Sequence, residues 1–158
     1  MKRAALSLLV LVVLAVPARA DAPSAQYEAF AKDFPFIYDT KTHLRWQRFV
    51  DPKAQQQSIL AAMTYCATLT LGSGYRLPTV KELLTLVDEE PHDEFEQGLI
   101  KPRYIDRNAF AGTPTELRYL TLSDDKSNPW LVDFGTGTAE HQTGSAGTFY
   151  VRCVRAEK

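Results

Sequence analysis

Apolar positions along the chain fall into three patterns, and each predicts a different element. Ala4 to Val16 runs for thirteen positions without a charge, with Ser7 its only polar side chain. Phe34 to Tyr38 and Leu44 to Phe49 are short, β-rich runs around Asp39-Thr40-Lys41-Thr42, which predicts a hairpin. On its second strand Leu44 and Trp46 point one way, Arg45 and Gln47 the other. From Ala54 to Leu71 there is no charged residue, and Ile59, Met63, Cys66 and Leu69 recur at helical spacing. That predicts a helix with Cys66, Ile59 and Met63 turned toward the core, ended by Gly72-Ser73-Gly74.

A second helix is expected from the stripe Val80, Leu83, Leu84 and Val87, stopped by Pro91. Thr79 and Glu82 stand at capping-box spacing, where each side chain satisfies a backbone donor of the other residue. The C-terminal part reads as strands over Arg118 to Leu122, Trp130 to Phe134 and Phe149 to Val154. Trp130 shares a face with Val132 and Phe134, and so reads first as a core residue. Phe149, Val151 and Cys153 share another face. Gly135 to Gly147 reads as a long hairpin loop, and its Gly135-Thr136-Gly137 lacks the Lys-Ser/Thr and helix of a phosphate loop.

Lys2 and Arg3 precede the first apolar run, and Ala18-Arg19-Ala20 follows Pro17. This is the layout of a secretory signal peptide cleaved after Ala20. The run is shorter than the ~20 residues that span a bilayer, so an anchor is the weaker reading. The expected organisation is a signal peptide over 1–20, a flexible leader over 21–33 and a single domain over 34–156. Such a chain is periplasmic or secreted, with no membrane span after cleavage. Past residue 20 there are 15 basic and 19 acidic side chains. That acidic balance argues against a nucleic-acid partner.

Cys66 and Cys153 are the only cysteines. In an oxidising compartment they most simply form one disulfide, with a free or catalytic thiol pair as the alternative. Without clustered histidines they do not make a zinc site. Asp88 to Glu96 holds six carboxylates around His92 and lacks the spacing of a calcium loop. A solvated loop is the expectation there. His43, His92 and His141 stand far apart, and no nucleophile elbow or metalloprotease motif occurs. The most ligand-like stretch is Asp124, Asp125, Asn128 and Trp130. Side-chain oxygens beside an aromatic face suit a sugar or calcium. Calcium has no motif behind it, and no other cofactor is expected.

Taken in order, several motifs are distinctive: Thr42-His43-Leu44-Arg45-Trp46, Tyr65-Cys66, Tyr75-Arg76-Leu77-Pro78-Thr79 with Glu82-Leu83, Val132-Asp133-Phe134-Gly135, and Val151-Arg152-Cys153-Val154-Arg155. The chain resembles the DUF1566 family, the domain found at the C-terminus of the Legionella collagen-like adhesin. The resemblance implies an α+β, C-type-lectin-like fold, two helices flanking a small twisted antiparallel sheet, with a disulfide from the first helix to the last strand. It also implies scaffold roles for Arg76, Leu77, Pro78, Thr79 and Glu82. This chain departs from the family in having His43 where glycine is usual, Tyr75 for Trp, and Tyr119-Leu120 for a Tyr-Trp pair. Relatives that recognise sulfated polysaccharides need clustered cations, here only Arg103, Arg107 and Arg118 if they gather. The expected function is an exported, noncatalytic binding or adhesion module for a glycan or cell-envelope partner, contacted through Asp88 to Thr115 and Asp124 to Pro129. The alternatives are a periplasmic metal-dependent enzyme or accessory domain using the acidic loop or His141, and a structural subunit of an envelope assembly.

Overall fold

In a computed structural model the described residues are 25–29, 31, 34–56, 58–96, 98–125, 128–142 and 147–157. The expected signal peptide and most of the expected leader lie outside them. Among the described residues nine strands and two short helices are arranged as three small antiparallel sheets, where a single sheet was expected. The first sheet has the order β1-β2-β3-β9, with β1 Tyr27–Glu28, β2 Phe36–Asp39, β3 Leu44–Gln47 and β9 Val154–Ala156. The second is the hairpin β4 His92–Glu96 and β5 Leu99–Arg103. The third is β6 Tyr119–Asp125, β7 Asn128–Asp133 and β8 Thr138–His141. Within the segment expected to be leader, β1 pairs with β2.

The β2–β3 hairpin forms where the alternation places it, with Ile37 opposite Trp46 and both buried. Its turn is closed by Asp39, whose carboxylate accepts from the Lys41 and Thr42 amides and the Thr42 hydroxyl. His43 has a φ of 57°. This left-handed conformation costs an L-residue more than glycine, which explains why glycine suits the position. The His43 Nδ1–Tyr38 hydroxyl contact at 2.7 Å helps hold the imidazole there.

Helix α1 spans Ile59–Ala67, capped by Ser58, and α2 spans Val80–Leu84. The inward face of α1 is Ala62 and Cys66, while Met63 is 44% exposed. That corrects the expected stripe. A nine-residue helix resting on β6 buries only a narrow i, i+4 row, and Met63 lies a turn's fraction off it. Helix α2 ends at Leu84, well before Pro91, and Thr85 closes it with bonds to the Glu82 and Leu83 carbonyls.

Two cores share one wall. The larger gathers Ile37, Trp46, Leu83, Phe110, Tyr119, Val132 and Phe134, among others. The smaller surrounds the disulfide, with Ala62, Leu77, Leu120, Leu131, Phe149 and Val151. In the β6–β7 pair Tyr119 and Val132 face the first core while Leu120 and Leu131 face the second. The closing segment does the same: Phe149, Val151 and Cys153 pack in the smaller core, Tyr150 and Val154 in the larger. It forms isolated bridges to Gln56 and Tyr119 before joining β3 as β9, where one continuous strand was expected.

Cys66 and Cys153 are bonded, with Cα atoms 5.5 Å apart. In the same smaller core Leu77 is fully buried, and Arg76 exchanges backbone bonds with Val154. Arg76 then makes a two-pronged ion pair with Glu82, at 2.6 and 2.9 Å. The same carboxylate accepts from the Thr79 amide at 2.8 Å, completing a capping box. Bonding to Arg76, aided by Thr79, lowers the Glu82 pKa to about 2 against an ordinary 4.5. The folded value lies below the unfolded one, so this contribution is complete above the ordinary carboxylate range and disappears as pH falls from about 4.5 toward about 2. Glu82→Gln is therefore expected to lower stability by about 1–2 kcal/mol at neutral pH. Denaturant titrations across that acid window should show the two proteins converging; a constant gap would contradict the assignment.

Candidate ligand-binding face

The β6–β7 hairpin positions the residues singled out above. Asp124 stands opposite Pro129 and Asp125 opposite Asn128, with a register shift between Leu120 and Asp124. Thr121 Oγ1 donates to the Trp130 carbonyl at 2.8 Å, and the Ser123 hydroxyl accepts from the Val80 amide at 3.0 Å. The irregular part of β6 is thereby tied both to β7 and to the start of α2. The structure brings Asp124, Asn128 and Trp130 to one end of the sheet, but Asn128 and Trp130 share one face while Asp124, opposite Pro129, lies on the other. Lys126, Ser127 and the Asp125 side chain lie outside the described residues.

Trp130 is a correction. It does share the face of Val132 and Phe134, yet it belongs to neither core and is only half-buried. The sheet outruns the core it covers, and Trp130 sits on the overhang. Opposite it on β8 stands His141, their ring centroids 3.7 Å apart and the planes inclined by 42°. Strand β8 was read as part of a long loop. It exists because Asp133 Oδ1 accepts from the Gly135 and Thr136 amides and Gly137 takes a φ of 71°. A Cβ on Gly137 would meet the Tyr104 ring at 2.7 Å, so the turn has room for glycine alone. Those turn residues are the signal from which β8 could have been read.

The Asp88 to Glu96 segment is also corrected, because it is not a solvated loop. Its second half is β4, paired with β5 over Glu94↔Lys101 and Phe95↔Ile100. Arg103 bonds both Glu94 and Glu96, Arg107 pairs with Glu94, and Lys101 with Glu96 at 3.2 Å. Arg107 foremost, with Arg103, holds the Glu94 carboxyl below its usual range. Asp93 and Glu94 lie on opposite faces of a strand and do not converge on one ion. Among the described residues, no three His, Cys, Asp or Glu side chains gather as a metal site.

Arg103, Arg107 and Arg118 do not form a basic patch. The first two are engaged by Glu94 and Glu96, and Arg118 pairs with Glu140. Apart from the Trp130 face, a concavity of about 650 Å³ is lined by Tyr27, Glu28, Tyr38, Arg45 and Glu157. Arg45 bonds Glu157 at 2.6 Å and stacks 4.2 Å over the Phe36 ring. Among the described residues no helix is long and apolar enough to cross a membrane.

A family model, that of the Lcl C-terminal domain, matches residues 35–155. No curated protein matches the chain, and no solved structure does.

Proposed function

The chain belongs to the Lcl C-terminal domain family, and from that premise we propose that it works as an exported, noncatalytic binding module of C-type-lectin-like fold. Residues 1–20 serve as its signal peptide and 34–156 as its one domain. The partner is a glycan of the cell surface or envelope. The observation that carries this reading is the half-exposed Trp130–His141 pair, held at the end of a sheet on a disulfide-tied scaffold. An aromatic face stacks on the apolar face of a sugar ring, and Asn128, two positions along β7 on the face of Trp130, supplies an acceptor and donors for its hydroxyls. With Arg103, Arg107 and Arg118 all paired to carboxylates, a neutral saccharide suits this face better than a sulfated one.

The test is a glycan array with residues 21–158, run in calcium and in chelator. Binding to one neutral sugar class is expected, falling at least about tenfold in Trp130→Ala, a loss of about 1.4 kcal/mol. Loss in chelator would assign calcium to the Asp124 end. Binding that survives Trp130→Ala and fails in Tyr38→Ala would move the site to the 650 Å³ cleft. Silence under both conditions would end the glycan reading.

A further inference from the structure

The β4–β5 hairpin has two unlike faces. One carries His92, Glu94 and Glu96 with Leu99, Lys101 and Arg103, and is laced to the body through Arg103, Arg107 and Thr115. The other carries Phe95, Ile100 and Pro102 with Asp93. On that second face Phe95 and Ile100 are 76% and 68% exposed. A two-stranded hairpin is marginal in water by itself. Here the ionic face holds it in shape while the apolar face is presented outward. Large apolar side chains grouped on a projecting arm mark a contact surface.

The charge around the patch selects the occupant. From Asp88 to Arg103 there are six carboxylates and two cations, and both cations are engaged with Glu94 and Glu96. Exposed Glu89 and Asp93 therefore leave the border of the patch negative. A second copy docking through the same hairpin would bring carboxylates against carboxylates. An anionic bilayer surface would repel the arm for the same reason. We infer that the hairpin is a docking arm whose Phe95–Ile100 face seats in an apolar recess of an envelope protein bordered by Lys and Arg. The inference rests on the binding-module reading but uses a surface distinct from Trp130, so a silent glycan array leaves it standing.

The experiment places the photocrosslinking residue p-benzoylphenylalanine at position 95 of the full-length protein in its own host, with position 60, on exposed α1, as control. Position 95 is expected to give an adduct with one envelope protein that position 60 does not. With that protein purified, Phe95→Ser combined with Ile100→Ser should weaken binding at least about tenfold, about 1.4 kcal/mol. Raising salt should weaken the native pair, and Glu89→Gln with Asp93→Asn should both weaken binding and flatten that salt dependence. These side chains are exposed, so the Cys66–Cys153 bridge and near-ultraviolet circular dichroism should not change. An adduct only with a second copy, only with lipid, or none at all overturns the inference. So does a partner indifferent to salt and to the charge variants.

Discussion

Arg152→Ala is expected to cost the folded chain about 3–5 kcal/mol, enough to unfold a domain of ordinary stability. Arg152 is fully buried. It donates to the Gln47 and Arg48 carbonyls at 2.7 and 2.8 Å and to the Thr113 hydroxyl at 2.8 Å, and it stacks 4.7 Å over Phe110. Among the described residues no carboxylate pairs with it. Neutral oxygens and ring faces offset its desolvation, and burial lowers its pKa. Removing the guanidinium strands two carbonyls in the core, each unsatisfied group costing about 1–3 kcal/mol, takes a donor from Thr113, whose hydroxyl keeps its bond to the Phe110 carbonyl, and leaves a cavity besides. Arg152→Lys should recover only part of the loss, since an ammonium lacks the planar fork that reaches both sides at once. Urea unfolding with the disulfide intact measures this. A shift under about 1 kcal/mol would show that the site relaxes or rehydrates and that the guanidinium is not the organiser described here.

The second large effect concerns the bridge. Cys66 and Cys153 are separated by 87 positions, and closing a loop of that length restricts the unfolded chain by about 4–5 kcal/mol on the chain-entropy account. The double variant Cys66→Ala, Cys153→Ala avoids a lone reactive thiol and should lose about 2–5 kcal/mol. The native contacts around Cys153 are otherwise retained, including its amide bonded to Gln47 Oε1 and its carbonyl accepting from the Gln47 amide. Scanning calorimetry of wild type with and without reductant should show the same drop. Native protein from the oxidising compartment should label with no thiol reagent. Labelling at two thiols there would refute the bridge.

Several elements were legible along the chain because their causes are local. The β2–β3 alternation, the Ser58 to Ala67 helix and the Thr79–Glu82 cap each depend on residues within a few positions of one another. The pairing of Cys66 with Cys153 was legible too, through helix face and strand parity. The β4–β5 hairpin was missed because its β4 positions are mostly charged, and charge in a strand looks like charge in a loop until Arg103 and Arg107 arrive from further along. Strand β8 was missed because Gly and Thr dominate its surroundings.

Trp130 shows where parity stops being informative. Alternation determines which face of β7 it occupies. Whether that face is covered at position 130 depends on how far the core beneath extends, which no neighbouring residue encodes. Arg152 is the mirror case: alternation in the closing segment suggests one buried face, yet both are buried, because Phe149, Val151 and Cys153 pack in the core around α1 and the disulfide while Arg152, on the other side, lies against Phe110 and Tyr119 of the larger core. By itself, then, the sequence determined the hairpin, the two helices with the cap of the second, the family and the bridge, all set by short-range stereochemistry or by a single long-range bond. Only the tertiary structure decided which side chains are left at the surface. Burial is a property of what packs against a residue from distant parts of the chain, and the candidate site is made of the positions where that packing ends.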